Sequence, residues 1–491
     1  MTVPQPARVD NVPWNNAPPD ENPPEKLRGN MGVTRLVCSA LAFNAPLAIM
    51  VGVVPLVIAL GGGVGTPLIF IGLGLVMSLF AVGYTAMSRM IPRSGAFYVM
   101  VTAGLGRPAG LAASFLALFT YASGLAYALP FVSVNMSAFI ARFDGPEISW
   151  WVWALVFSTL VAILGYVNVD FSARVQLILV ACEVVLVVVY DTIVFATGGE
   201  AKHISFGSFA PSSLEATGVV VGVVFAISCF AGFESLAVYR DETRNPERTV
   251  PRATYITVGL ITAFYAVGSW ALIQAYDPDK AVDAIGVDPV GAYLTSIGDY
   301  VGVVARDIGT GLVITSTFAG LMAMHNIVAR YLFNLGSDGA LPITLGRPHK
   351  RFGSPHRASV TMTIATFIFI AIAASSGIEA LKLYTTMAGL TGYSLVFLMF
   401  LAAVGIASYL LRKGPAELAV WQRTIAPILS AVAMTGIIVL VTIKIDLLTG
   451  SRGLSAAVLI FVACIIAFSV SIALWLRRFH PSNYQNIGTR I

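Results

Sequence analysis

Asn44-Ala45-Pro46-Leu47-Ala48-Ile49-Met50-Val51-Gly52-Val53-Val54-Pro55 is the stretch on which the fold turns. It lies in an apolar run, yet it carries two prolines and a glycine where a continuous helix wants none. Proline lacks the amide hydrogen and clashes with the carbonyl four residues back, so a break is expected between Pro46 and Pro55. Taken alone, the stretch is equally compatible with a proline kink, common in membrane helices because neighbours re-satisfy the freed carbonyls.

The surrounding composition places this helix in a bilayer. Of 491 residues, 57% are hydrophobic and 11% are charged, against roughly a quarter charged in soluble domains. Apolar runs extend from Leu36 almost to Trp475, and about 20 apolar residues suffice for one crossing. Twelve spans are expected, at 34–60, 66–90, 106–141, 149–168, 170–197, 215–239, 252–276, 301–333, 357–376, 378–411, 421–445 and 454–477. Several exceed the bilayer thickness, which implies tilt or extension into water.

The sixth span repeats the anomaly of the first. Ala226-Ile227-Ser228-Cys229-Phe230-Ala231-Gly232-Phe233-Glu234-Ser235 sets a small pair, Ala231-Gly232, just before a carboxylate deep in apolar sequence. Spans one and six open successive five-span halves, the positions at which secondary transporters built from inverted repeats interrupt their helices. An interrupted helix exposes amide N–H groups on one half and carbonyls on the other. The positive end of a half-helix would hold an α-carboxylate, and carbonyls at a negative end an α-amine.

Charge sets the orientation. With the N-terminus inside, most of the 30 lysines and arginines fall on one side; only Arg142, Lys202, Lys280, Arg306, Lys382, Lys444 and Arg452 fall on the other. The positive-inside rule then puts both termini in the cytoplasm. The net charge of +5 is spread over many loops, whereas a nucleic-acid partner would want a clustered basic face. Residues 1–33 are proline-rich and poor in apolar residues, which predicts a disordered cytoplasmic tail without the apolar run of a signal peptide. Cys38, Cys182, Cys229 and Cys464 all fall within spans and lack metal spacing, so they read as packing residues.

Phe230-Ala231-Gly232-Phe233-Glu234, followed by Asn245-Pro246-Glu247-Arg248-Thr249-Val250-Pro251-Arg252-Ala253, resembles the amino acid/polyamine/organocation (APC) superfamily of permeases. Pro92-Arg93-Ser94-Gly95-Ala96-Phe97-Tyr98 agrees with it, as does Ala329-Arg330-Tyr331-Leu332-Phe333 through Asp338-Gly339-Ala340-Leu341-Pro342. The resemblance covers nearly the whole chain after residue 33. It implies an all-α integral membrane protein with the LeuT-like five-plus-five inverted repeat, broken helices one and six, and two extra helices. On that plan residues 34–411 are the transport core, its repeats at 34–197 and 215–411. Residues 412–478 add two helices, and 479–491 form a second cytoplasmic tail. The substrate site would lie between helices one and six, walled by three, eight and ten.

By the same resemblance Met50, Val51, Gly52 and Val53 would meet the substrate backbone, and Phe230, Ala231 and Gly232 would supply gate and contacts. Ser228 stands where some members carry a bulky aromatic gate, and Val51-Gly52-Val53 has one glycine where many have a glycine-rich tripeptide. Tyr121 and Ser123 in span three, Ser316 beside Thr315 and Thr317 in span eight, and Tyr384, Thr385 and Thr386 in span ten are polar enough to face a cavity. The three span-eight hydroxyls are also candidate sodium ligands, although membrane hydroxyls usually bond their own helix.

Three ionisable residues are candidates for coupling to a proton or cation. Glu183 is a deep lone acid in span five. An ionised carboxylate there costs roughly 2.5–3.5 kcal/mol, and neutralising it at pH 7 costs roughly 3.7 kcal/mol, so either state is open. In some resembling permeases a lysine here takes the place of a sodium ion. Glu234 would carry a proton or accept hydrogen bonds from unwound backbone, and His325 would titrate or pack. The loop from Arg240 to Arg252 mixes Asp241, Glu242 and Glu247 with Arg244 and Arg248, as a charge-paired inner gate or a solvated hinge would.

The sequence therefore reads as a cofactor-free secondary transporter of amino acids or related amines in the cell membrane. It would work by alternating access coupled to protons, with exchange or sodium coupling as the alternatives. An enzyme would need a catalytic constellation that the five histidines do not form in any span, and a channel would need a continuous pore.

Overall fold

The computed structural model describes residues 31–91, 97–167, 173–233, 236, 243, 245–348, 355–449 and 452–487. Its first span is assembled from pieces. Helix α1 (Val33–Asn44) stops at Ala45, which adopts the left-handed conformation with φ 51° and ψ 69°. Helix α2 (Pro46–Gly52) restarts with proline at its first position, where the missing N–H costs nothing. A turn at Val53 leads into α3 (Val54–Val57), and a π-turn over Ile58–Gly62 follows. The chain is thus interrupted at Val53, between the two prolines as expected, and a second time at Ala45, one residue before Pro46. Both prolines sit where they begin a helical segment.

The remaining helices are long and apolar. They are α4 (Thr66–Met90), α5 (Phe97–Leu105), α6 (Arg107–Ala141), α7 (Trp150–Val167) and α8 (Ala173–Thr197). Then come α9 (Ala216–Ser228), α10 (Pro246–Ala275), the short α11 (Ala281–Val287) and α12 (Ala292–Tyr300), and α13 (Val303–Ser337). The chain closes with α14 (His356–Ser375), α15 (Ala380–Lys413), α16 (Ala426–Ile443), α17 (Ile445–Thr449), α18 (Arg452–Phe479) and α19 (Pro481–Asn486). Among the described residues 10 helical segments are long and apolar enough to cross a membrane, and Trp150–Tyr166 and Thr217–Ser228 are shorter apolar helices at the expected fourth and sixth spans. The expected first span, 34–60, divides at Val53: Val33–Gly52 forms one segment, and Val54 runs on into α4.

Glycine sets how closely these helices approach. In lipid no hydrophobic force drives helix onto helix, so association rests on close packing of small residues. A Cβ at Gly61 would lie 2.6 Å from the Cα of Gly222 on α9, and one at Gly218 would collide with the carbonyl of Gly61. The outer end of span one therefore packs on α9 backbone to backbone. The crossing of α5 and α15 is equally tight: a Cβ at Gly104 would collide with the Gly405 carbonyl, and Ser408 Oγ donates to the Gly104 carbonyl at 3.1 Å.

Glu234 and residues 92–96 lie outside the described residues, as do Arg240, Asp241, Glu242 and Arg244 of the Arg240–Arg252 loop. The cysteine expectation needs correction. Cys229 is buried, but Cys182 and Cys464 are exposed on the outside of the bundle, because their positions on α8 and α18 face away from neighbouring helices.

Candidate functional site

Span six loses its regular winding just past α9. The amides of Cys229, Phe230 and Ala231 bond back to the carbonyls of Ala226, Ile227 and Ser228, three residues behind them. Gly232 then takes φ 105°, a conformation that suits glycine because it has no Cβ.

Asn44, the last residue of α1, reaches across to this segment. Its Nδ2 donates to the Cys229 carbonyl at 2.5 Å and to the Ala231 carbonyl at 3.1 Å. Its Oδ1 accepts from the Tyr265 hydroxyl of α10. One side chain therefore joins the end of α1, the unwound part of span six and α10.

On the other side of the α1–α2 break, Glu183 of α8 meets the first turn of α2. The Leu47 N–H donates to Glu183 Oε2 at 3.1 Å, satisfying one of the orphan amides at a helix start. The carboxyl is 1% exposed. Its Oε1 is buried without a hydrogen-bond partner, and the Ser316 hydroxyl of α13 lies beside the group.

Beside the α1–α2 break lies a cavity of about 80 Å³. Asn44, Val53, Ser228, Ala231, Ser316 and Tyr384 line it, with Tyr127, Phe131, Thr317 and Met324 completing an aromatic and hydroxyl-bearing wall. Tyr384 stacks on Phe131 with centroids 5.2 Å apart. Among the described residues that line it, none carries a formal charge. Among the described residues no group of three potential metal-ligating side chains occurs.

The structure brings together six of the residues selected from sequence, namely Val53, Ser228, Ala231, Ser316, Thr317 and Tyr384. Met50, Val51 and Phe230 are fully buried in packing and do not reach the cavity. Gly52 is covered as well: a Cβ there would lie 2.7 Å from Tyr384 Oη and 2.8 Å from a Phe131 ring carbon. Tyr121 stacks on Tyr331 at 6.1 Å, away from the cavity. Thr385 and Thr386 are half-buried and bonded to the Lys382 carbonyl. His325 sits in a separate cavity of only about 10 Å³, its Nε2 2.9 Å from Ser359 Oγ.

Three functional candidates were passed over in the sequence. Asn44 stood at the head of the deciding stretch without a role, and Tyr265 was one tyrosine among 17. Asp191 lies two turns beyond Glu183 on α8, is 8% exposed, and has an unpartnered Oδ1. A second acid at that helical spacing in one apolar span was the available signal.

A multi-pass helical membrane protein with an uncharged but polar-studded cavity at an interrupted helix has the build of a carrier of small molecules. The chain belongs to the amino acid permease family, whose pattern it matches over residues 37–485. It is similar to the aromatic amino acid transport protein AroP of Escherichia coli (strain K12), 26% identical over 64% of this chain and 72% of that protein. It also resembles the branched-chain amino acid permease BcaP of Lactococcus lactis, 23% identical over 76% of this chain and 81% of the relative. The low-affinity putrescine importer PlaP of Escherichia coli (strain K12) is 24% identical over 67% and 72% respectively. The chain is accordingly a transporter and not an enzyme.

Proposed function

We propose that the protein is a proton-coupled secondary permease for amino acids with uncharged side chains, working by alternating access in the cell membrane. The observation that carries the reading is Glu183, which accepts from Leu47 N–H at the α1–α2 break while Ser316 stands between it and the cavity. A carboxyl so placed can take a proton on its free oxygen and hand the change in charge to a half-helix terminus and to the cavity wall together. The family and the amino acid and putrescine carriers among its relatives support the substrate class. The uncharged lining favours a zwitterion with a neutral side chain over a diamine, whose second ammonium would be left unpaired.

Protons are favoured over sodium by the hydroxyls of span eight. Thr315 donates to Gly311 and Leu312 carbonyls on an exposed face, and Thr317 donates to Val313. The architecture proposed with this function is the twelve-span, LeuT-like five-plus-five inverted repeat over 34–411, with two added helices and both termini cytoplasmic. Glu234 beside the span-six break remains a second candidate proton carrier, whereas the separate pocket of His325 fits a packing role.

Purified protein in proteoliposomes tests the reading through uptake of labelled phenylalanine, leucine and putrescine. Saturable uptake of the amino acids, raised by an alkaline interior, is expected. Flux that does not saturate would refute the carrier, and accumulation indifferent to the pH gradient would refute the coupling.

A further inference from the structure

The Asn44 amide occupies the acceptors that a substrate amine would want. Cys229 and Ala231 present carbonyls, which only accept, so the amide must turn its NH2 toward them and its oxygen toward the Tyr265 hydroxyl. Both Asn44 and Ala231 line the cavity, so a ligand there comes within reach of the Ala231 carbonyl, with the Cys229 carbonyl directly behind the Asn44 amide. We propose that Asn44 is a built-in stand-in for the amine, holding the span-six carbonyls in the empty carrier and yielding them when substrate binds. The inference rests on the reading above that the substrate bears an amine.

The exchange is favourable because an ammonium brings three charged donors where the amide brings two neutral ones. Charge-assisted hydrogen bonds are roughly twice as strong as neutral ones. It also has a mechanical consequence. Asn44 is the last residue of α1, and Ala45 behind it is the left-handed hinge. Releasing the amide unties α1 from span six while Tyr265 still holds its oxygen to α10, so arrival of the amine is converted into freedom at the break.

The test compares binding of L-phenylalanine and L-leucine with that of 3-phenylpropionate and 4-methylpentanoate, which keep the side chain and carboxylate but lack the amine. In Asn44→Leu, loss of the competing donor should tighten binding of the amino acids about fivefold, the equivalent of one net hydrogen bond. The two acids should bind as they do to the wild type. Tyr265→Phe, a milder change should Asn44→Leu fail to fold, should shift the amino acids in the same direction by less. Equal or weaker amino acid binding in both variants would show a purely structural tie and overturn the proposal. Tightening that extends equally to the desamino acids would overturn it too, since it would not depend on the amine. A wild type that binds neither amino acid would remove the substrate reading and this inference together.

Discussion

Glu183 supplies two things that substitution can separate: an acceptor for the Leu47 N–H and a site for a proton. Glu183→Gln keeps the amide acceptor at the start of α2 and removes the titratable group. The variant should fold, bind substrate and exchange it, but accumulation should no longer rise when the proteoliposome interior is made alkaline. Accumulation that follows the gradient as in the wild type would end the proton-carrier role and transfer attention to Glu234. Glu183→Leu removes the acceptor as well, stranding a buried N–H at a cost of about 1–3 kcal/mol. It should therefore lower the melting temperature where Gln does not. At this scale the acid was legible, because a lone carboxylate in an apolar span stands out by composition. Asn44 was not, since its role depends on carbonyls 185 residues away that no local pattern announces.

Between residues and molecule, the interrupted elements depend on positions where a side chain has no room. Gly52→Leu should abolish transport while leaving insertion intact. The reason differs from the one expected from sequence: the new side chain would strike Tyr384 and Phe131 and push both rings into the cavity. Wild-type uptake by correctly inserted mutant would show that the cavity is not the transport site. Gly232→Leu should also fail, here through its φ of 105°, and unaltered substrate affinity would mean that the turn tolerates other conformations. Gly61→Leu would meet α9 backbone at Gly222 and Gly218 and should part the outer end of span one from α9, which loss of protein from a detergent-stability assay would register. The prolines and glycines made the interruption of span one legible, and its second break was not. Sequence marks residues that a helix interior rejects, but Pro46 and Pro55 are both accepted at helix starts. Beside the expected interruption at Val53 a second break falls at Ala45, a residue with no compositional mark at all. Likewise Met50 and Val51 were assigned to the substrate by analogy, but as large apolar side chains they turn into the packing of α2.

The bundle as a whole carries two records of its surroundings. Large apolar side chains stand on its outside, among them Ile178 and Val185 of α8 and Ile460 of α18, each more than 60% exposed, as a surface solvated by lipid requires. The second record is charge. Arg412 and Lys413 close α15, and Arg477 and Arg478 close α18, at helix C-termini where cations also suit the helix dipole. On the opposite side Arg142 and Arg306 pair with Asp307, and Lys280 with Asp277 at 3.4 Å. Three of the seven cations there are engaged with acids, whereas most of the Lys and Arg of the sequence lie on the side assigned to the cytoplasm, the asymmetry from which membrane orientation is read. This predicts the sidedness of the whole molecule. In a background with Cys38, Cys182, Cys229 and Cys464 replaced, Lys280→Cys, whose native side chain is 75% exposed, should react with a membrane-impermeant maleimide on intact cells. Arg412→Cys, exposed at the far end of α15, should react only after permeabilisation. The reverse pattern would invert the topology and place the span-six loop outside. Equal labelling of both sites on intact cells would mean that charge does not fix one orientation, and the inner-gate assignment would fall with it.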